Sequence, residues 1–269
     1  MINISTKRNA IAPVTPQPSS KPTSLQDLDR ALSTSPRIAQ LGVTQLTDWW
    51  KLMFLSTHKG DIDATLHAIE RLLVWRQSYG WNDLPNENFP AELAAAKFYF
   101  HKRDMEGFPV LIWRMDRHTA SKNQEEVEHN VRFLVWFMEK AIREGIIQNR
   151  VTILIDRLHI TSHNTESLQF VRHAIPNIQT ALPEIIHKVV VFPTSTLVYA
   201  LWKMAQTLLN PRVVGKITMC GGGDYQKALK EVVDGERLSR KYGGTSTDLL
   251  DEPGWEERAK ARQGIWWDK

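Results

Sequence analysis

Residues 189–211 read VVVFPTSTLVYALWKMAQTLLNP. The stretch opens as a short β-branched, apolar strand and stops at Pro193. It continues as a helix that is apolar nearly all the way round. Leu197, Leu201, Met204 and Leu208 fall on one face, and Val198, Trp202, Ala205 and Leu209 on the adjacent one. Only Ser195, Lys203 and Gln206 offer clear polarity. Such a helix must be covered on more than one side. Two readings meet that demand. It is a central core helix, or it is a lid with one face on an apolar cavity and another turned toward a membrane. It is too short to span a bilayer, which takes about 20 residues.

Working outward, the strand has three companions of the same type. Strands are expected at PVLIWRM (109–115), VTILID (151–156), KVVVFP (188–193) and KITMCG (216–221). All are short and apolar on both faces, as in a sheet covered on both sides. Helices are expected between them at 123–144, 164–180 and 195–209, and after them at 224–233, ended by Gly235. This alternation implies right-handed crossovers and a mostly parallel α/β sheet flanked by helices.

The segment 25–80 has a different rhythm. LTDWWKLMFLSTHKGD places Leu46, Trp49, Trp50 and Met53 on one helix face. The next run repeats apolar residues at Ile62, Leu66, Ile69, Leu73 and Trp75, close to a 3.6 spacing, with Gly80 as the stop. NDLPNENFP (82–90) is a turn-rich joint. Four parts are therefore expected: a disordered tail over 1–24, an N-terminal helical module over 25–82, the α/β domain over 90–244, and an extension over 245–269. The tail is rich in Pro and Ser and has too few apolar residues to offset its ordering entropy. The extension, with Trp255, Trp266 and Trp267, is expected to pack on the helical module.

Of the 269 residues, 42% are apolar and 24% charged, and the mean hydropathy is −0.35, which describes ordinary globular material. A net charge of +4 is mildly basic. It lacks the Lys/Arg blocks of a nucleic-acid binder, so nucleic acid is not an expected partner. A single cysteine, Cys220, excludes an internal disulfide and fits a reducing, cytoplasmic compartment.

Motifs of catalysis are sparse. G-x-S-x-G, G-x-G-x-x-G and the phosphate-binding P-loop are all missing. CGGGD (220–224) reads as an anion cradle or as a strand-to-helix turn needing positive φ. His159 and His163 have the i,i+4 spacing of a metal pair but no third ligand at a familiar spacing, so no metal is expected. Asp156, His159 and Ser162 are residue types of a catalytic triad, or simply members of one solvated loop.

Six segments, in order, carry a resemblance: WRQSYGW (75–81), RDMEGFPVLIWRMDRH (103–118), VTILIDR (151–157), LPEIIHKVVVFP (182–193), LLNPRVVGKITMCG (208–221) and LSRKYGG (238–244). Together they resemble the CRAL-TRIO lipid-binding domain family across roughly 200 residues. That family includes the yeast phosphatidylinositol/phosphatidylcholine transfer proteins and the tocopherol and retinal carriers. The resemblance implies a helical N-terminal module beside a sheet, with an apolar lipid cavity closed by a gate helix. The gate is then 194–209, carrying Leu197, Val198, Leu201, Trp202, Met204, Ala205, Leu208 and Leu209. The cavity lining it implies comprises Ile112, Ile153, Ile155, Val190 and Phe192.

The family's headgroup-binding Glu and Lys correspond to Glu184 and Lys216, which are alternatively surface charges or each other's ion-pair partners. Three departures weaken phospholipid headgroup recognition. Val213 stands where phosphatidylinositol-binding members have Thr. Val151 and Ile153 stand where phosphatidylcholine-binding members have Ser or Thr. MFLSTH (53–58) lacks the family's basic run. DRLHIT (156–161) also lacks the Gly that follows the strand-two Asp, so that loop is expected to differ.

The implied function is non-catalytic binding and transfer of a phospholipid, phosphatidylinositol first among them, or of another hydrophobic lipid. The implied protein is a cytoplasmic, peripherally membrane-bound monomer with no cofactor besides its lipid. A lipid-sensing regulatory or scaffold domain that does not transfer lipid is the alternative. An α/β enzyme working near Asp156 is a third.

Overall fold

The computed structural model describes residues 24–42, 46–81, 83–166, 168–182, 184–209, 211–261, 265 and 267–268. The expected tail, apart from Ser24, lies outside these residues, as do Pro183 and Trp266. Four helices come first: α1 (Leu25–Thr34), α2 (Pro36–Gln40), α3 (Asp48–Thr57) and α4 (Ile62–Ser78). Ser24 starts α1 with a capping box. Its hydroxyl accepts from the Asp27 amide at 3.2 Å, and the Asp27 carboxylate accepts from the Ser24 amide at 3.1 Å. Asp61 caps α4 by accepting from the Ala64 amide at 3.0 Å. The buried faces of these helices, including Leu28, Trp50, Phe54, Ile69 and Leu72, join a core that continues into the sheet and reaches Ile265.

After α5 (Pro90–Ala95) comes β1 (Phe98–Arg103), a strand absent from the sequence-based expectation, and then β2 (Pro109–Arg114). The alanine-rich lead-in favours helix, and four consecutive buried residues at the start of β1 leave no alternation to read. The β1–β2 turn explains D-x-x-G-x-P. Asp104 accepts from the amides of Glu106 and Phe108, both at 2.9 Å, while Gly107 takes φ +88°. The second carboxylate oxygen of Asp104 accepts from the Thr152 hydroxyl and so ties the turn to the next strand.

The remaining elements are α6 (Gln124–Arg143), β3 (Val151–Asp156), α7 (Leu168–Ala181), β4 (Ile186–Thr194), α8 (Thr196–Ala205), α9 (Pro211–Val214), β5 (Ile217–Gly221), α10 (Tyr225–Lys230), α11 (Trp255–Ala261) and β6 (Trp267–Asp268); the alternation through α10 is the expected one, and α9, α11 and β6 are additions to it. The sheet order is β5-β4-β3-β2-β1-β6. β2 to β5 run parallel, β1 is antiparallel to β2, and β6 lies parallel to β1. The C-terminal segment thus extends the sheet by an edge strand, where the sequence had pointed to packing on the helical module ahead of contact with a membrane. The CGGGD turn is present, but Gly221, Gly222 and Gly223 are not among the glycines at positive φ, and a Cβ at any of them would meet open space.

Strand register sorts the sheet into two faces. Leu111, Ile153, Val189 and Ile217 form one cross-strand row, and Trp113, Ile155, Val191 and Met219 a second on the same face. Ile112, Leu154 and Val190 form the intervening row, which points the other way. On that second face a closed core gathers Tyr99, Val110, Ile112, Leu154, Val190, Phe192, Leu229 and Tyr242. Phe192 stacks on Tyr225 at 5.4 Å and meets Tyr242 edge-on at 5.2 Å.

Asp156, fully buried at the end of β3, locks this face to the closing segment. It accepts from the Tyr242 hydroxyl at 2.8 Å, from Lys241 Nζ at 2.7 Å and from the Leu158 amide at 2.8 Å. Gly244 follows this lock, and a Cβ there would lie 2.0 Å from the Leu238 carbonyl oxygen. Gly244→Ala is therefore expected to cost about 2–3 kcal/mol, the upper range for overpacking, and Gly222→Ala almost nothing. Urea denaturation of the two variants checks this, and equal midpoints would contradict the packing.

Candidate functional site

The first face of the sheet is hollow. A cavity of about 500 Å³ lies between the sheet and the helices α7 and α8. That volume is within the roughly 300–1,000 Å³ of ordinary ligand pockets. Its floor is the two outward rows just described, Leu111, Ile153, Val189 and Ile217, then Trp113, Ile155, Val191 and Met219. Phe170, Ala174 and Ile178 of α7 form one wall, and Leu134 and Met138 of α6 close the end near β2.

The cover is α8. Ser195 starts it, its hydroxyl accepting from the Val198 amide at 3.4 Å. Val198, Leu201, Trp202 and Ala205, with Leu209 beyond the helix end, turn into the cavity at helical spacing. Leu197 and Met204 face outward, 70% and 47% exposed, beside Tyr199 at 47%. The side chain of Leu208 lies outside the described residues.

Among the expected lining residues, Ile153 and Ile155 stand on the cavity floor. Ile112, Val190 and Phe192 do not. Each is displaced by one residue from the lining rows, and a one-residue step along a strand reverses the side chain. The true partners are Leu111 and Trp113 on β2 and Val189 and Val191 on β4. Strands apolar on both faces carry no alternation from which this could be read. The one usable signal is the parallel register that pairs Ile153 and Ile155 with these residues.

Two polar clusters lie at opposite edges of the cavity. At the edge where β4 and β5 begin, Glu184 and Lys216 approach each other, Nζ to Oε2, at 3.4 Å. Lys216 also donates to the Ile186 carbonyl at 2.8 Å. Both line the cavity, and both side chains are about four-fifths buried, at 20% and 22% exposure. Glu184 adopts φ +58°. Val213 lines the same end with no group to donate.

At the other edge, where β3 ends, Arg157, Thr165 and Glu166 line the wall. Burial pushes the Glu166 carboxyl up, but hydrogen bonds from His118 and Ser121 outweigh it and hold the carboxyl below its ordinary range. His118 Nε2 lies 2.6 Å from Glu166, and the Ser121 hydroxyl donates to it at 2.9 Å. Among the described residues, Trp113 Nε1, Arg157 Nε and Gln179 Nε2 are enclosed donors with no acceptor.

Asp156 stands apart from this cavity. Its oxygens are committed to Tyr242, Lys241 and Leu158 on the closed face, which removes it from a triad with His159 and Ser162. A second cavity, of about 540 Å³, opens where α3 and α4 meet α6. Its buried Arg76 already pairs with Glu139 at 3.2 Å and lies over the rings of Trp50 and Trp81.

Residues 93–244, from α5 through the Gly243–Gly244 closure, match the CRAL/TRIO domain. The chain belongs to the CRAL/TRIO family. It is 26% identical over 216 residues to the phosphatidylinositol/phosphatidylcholine transfer protein SFH4 of Arabidopsis thaliana, a match covering 73% of this chain and 35% of that one. It is 26% identical over 218 residues to the SEC14 cytosolic factor of Kluyveromyces lactis, covering 75% of this chain and 72% of that one. The chain thus spans about a third of the plant relative and most of the yeast one. The crystal structure of Sfh5 superposes with a TM-score of 0.56 at 12% identity, covering 81% of this chain and 80% of that one, which shows the shared fold. Within the CRAL/TRIO segment fall every strand that floors the cavity and both of its polar edges.

The two-faced sheet makes a direct prediction. Val191→Phe grows into free space and is expected to change stability by less than about 1 kcal/mol, whereas Val190→Phe overfills the closed face and should cost about 1–3 kcal/mol. Chemical denaturation of both variants measures the difference. A reversed order would mean that the faces are assigned the wrong way round.

Proposed function

We propose that this protein binds a lipid in the hollow behind α8 and carries it between membranes, with α8 as the movable gate. The observation that carries the reading is the open, apolar volume of about 500 Å³ under a helix whose inner face is apolar and whose outer face also exposes Leu197, Tyr199 and Met204. A helix that only sealed a core would not need apolar side chains in water on its far side. A helix that docks on a bilayer would. None of the helices among the described residues is long and apolar enough to cross a membrane, so contact at the surface is the mode proposed. The name of the plant relative, a phosphatidylinositol/phosphatidylcholine transfer protein, points the same way.

The energetics favour exchange over tight capture. Burying a methylene is worth about 0.8 kcal/mol against water. A lipid leaving a bilayer leaves an equally dry phase, so tail burial is nearly neutral. The cavity has only to match the membrane. Selectivity then falls to the polar edges.

We assign headgroup contact to Glu184 and Lys216, a carboxylate for ligand hydroxyls beside an ammonium for a phosphate. In the structure the two approach each other at 3.4 Å. A phosphatidylinositol headgroup would exchange that pairing for bonds to both. Val213 supplies no third bond, so selection for this headgroup should be modest, and less polar lipids compete for the same space.

Organic extraction of the purified protein followed by lipid mass spectrometry tests the reading directly. A stoichiometric lipid is expected, and a lipid-free extract from a folded sample that also fails to accept lipid from vesicles would sink it. Leu201→Asp places a charge on the inner face of the gate. It should abolish transfer between liposomes and leave the circular dichroism near wild type. Leu197→Glu with Met204→Glu should instead reduce vesicle binding. Alanine at both Glu184 and Lys216 should cut phosphatidylinositol transfer about tenfold or more, from the loss of charged hydrogen bonds of roughly 1.5–3 kcal/mol each. Transfer of a neutral lipid should change far less, and equal losses would remove the headgroup assignment.

A further inference from the structure

The cavity has a second polar end that the headgroup assignment leaves unused. Arg157 immediately follows β3 and lines the cavity wall. Lys216 and Glu184 precede β5 and β4. Because β3, β4 and β5 are parallel, Arg157 lies at the opposite edge of the sheet from that pair, across a strand of six residues. That is about 20 Å at roughly 3.3 Å per residue. Between the two edges the floor is apolar throughout.

The two edges differ in charge balance. Lys216 is neutralised by Glu184. Among the described residues the Arg157 side chain has no carboxylate partner and no hydrogen bond, and its Nε is enclosed. Its neighbour in the wall, Glu166, is already held by His118 and Ser121. Burial alone lowers the Arg157 guanidinium from its ordinary value, with no opposing anion to raise it. A half-buried guanidinium with no ion-pair partner is free to take an incoming anion.

We infer that Arg157 is an anion anchor inside the cavity, and that the ligand is an amphiphile whose single carboxylate or phosphate meets the guanidinium while its apolar chain runs along the sheet toward the Glu184 edge. The inference rests on the cavity being a lipid chamber. It adds a second class of ligand, singly charged and seated the opposite way round from the phosphatidylinositol proposed above. A planar guanidinium suits both oxyanions, because each offers two oxygens to its forked donors.

The test uses the full chain and three probes: cis-parinaric acid, its methyl ester, and a fluorescent phosphatidate presented in phosphatidylcholine vesicles. The acid should bind about tenfold or more tightly than the ester, in line with a charged hydrogen bond in a poorly solvated site. Arg157→Leu should erase that preference while leaving ester binding within about twofold, and Arg157→Lys should keep part of it. Without ligand, Arg157→Leu should melt no lower than wild type, because it removes a half-buried cation that has no ion-pair partner.

The phosphatidate arm separates the sources of charge. Uptake lost with Arg157→Leu marks a phosphate-bearing lipid as a ligand, and unchanged uptake confines the site to carboxylates. Excess inorganic phosphate should not displace the acid, and displacement would overturn the amphiphile in favour of a free-anion site. Equal binding of acid and ester to the wild type, or a preference that survives Arg157→Leu, overturns the anchor and leaves the lipid chamber standing. Failure of the wild type to bind any of the three overturns both. The lysine variant keeps the preference measurable even where leucine prevents folding.

Discussion

Period-two alternation along β2 to β5 is the constraint on which the rest of this protein depends. The central residues of these strands are mostly apolar on both faces, yet a parallel register allows only two destinations. The rows through Ile112, Leu154 and Val190 enter a closed core with Tyr99, Phe192 and Tyr242. The rows through Ile153 and Ile155 face a hollow. One sheet thereby does two incompatible things at once, holding the fold on one side and leaving space on the other.

The closed side carries much of the stability that the open side gives up. Asp156 draws the Lys241–Tyr242 segment onto the strand ends, and Gly244 permits a backbone approach that no side chain could tolerate. On the hollow side, the core that begins with Leu28 of α1 and runs through α4 and α6 to Ile265 reaches the cavity wall at Leu111, Met138 and Ala174.

Under the proposed function, the polar groups at its ends decide what the chamber holds. Glu184 and Lys216, separated by 32 positions in the chain, meet at one edge at 3.4 Å as a self-satisfied pair. Arg157 at the other edge has no such partner. The contrast is physical: a paired site must exchange bonds to take a ligand, whereas an unpaired cation gains by taking one. The apolar floor between them is permissive toward chain identity, so discrimination is left to the ends.

Much of this was legible before the structure. The order of strands and helices, the D-x-x-G turn, the apolar helix after Pro193 and the match of six segments to one family all follow from local chemistry, since turn residues and apolar runs act over a few positions. β1 and β6 were not legible. β1 emerges from an alanine-rich run without alternation, and β6 is a two-residue strand made only by its neighbour.

Which strand residues face the cavity was also misjudged at Ile112, Val190 and Phe192, because a strand apolar on both faces gives no local clue to its facing. Arg157 was not singled out from the sequence. Its position one step past Asp156 puts it in parity with Ile153 and Ile155, but parity has meaning only once the register is known. The sequence by itself determined the element order, the family and the greasy helix, because propensity and turn chemistry are local. Only the tertiary structure decided which face stays open and which charges meet, because both depend on strands brought together from distant parts of the chain.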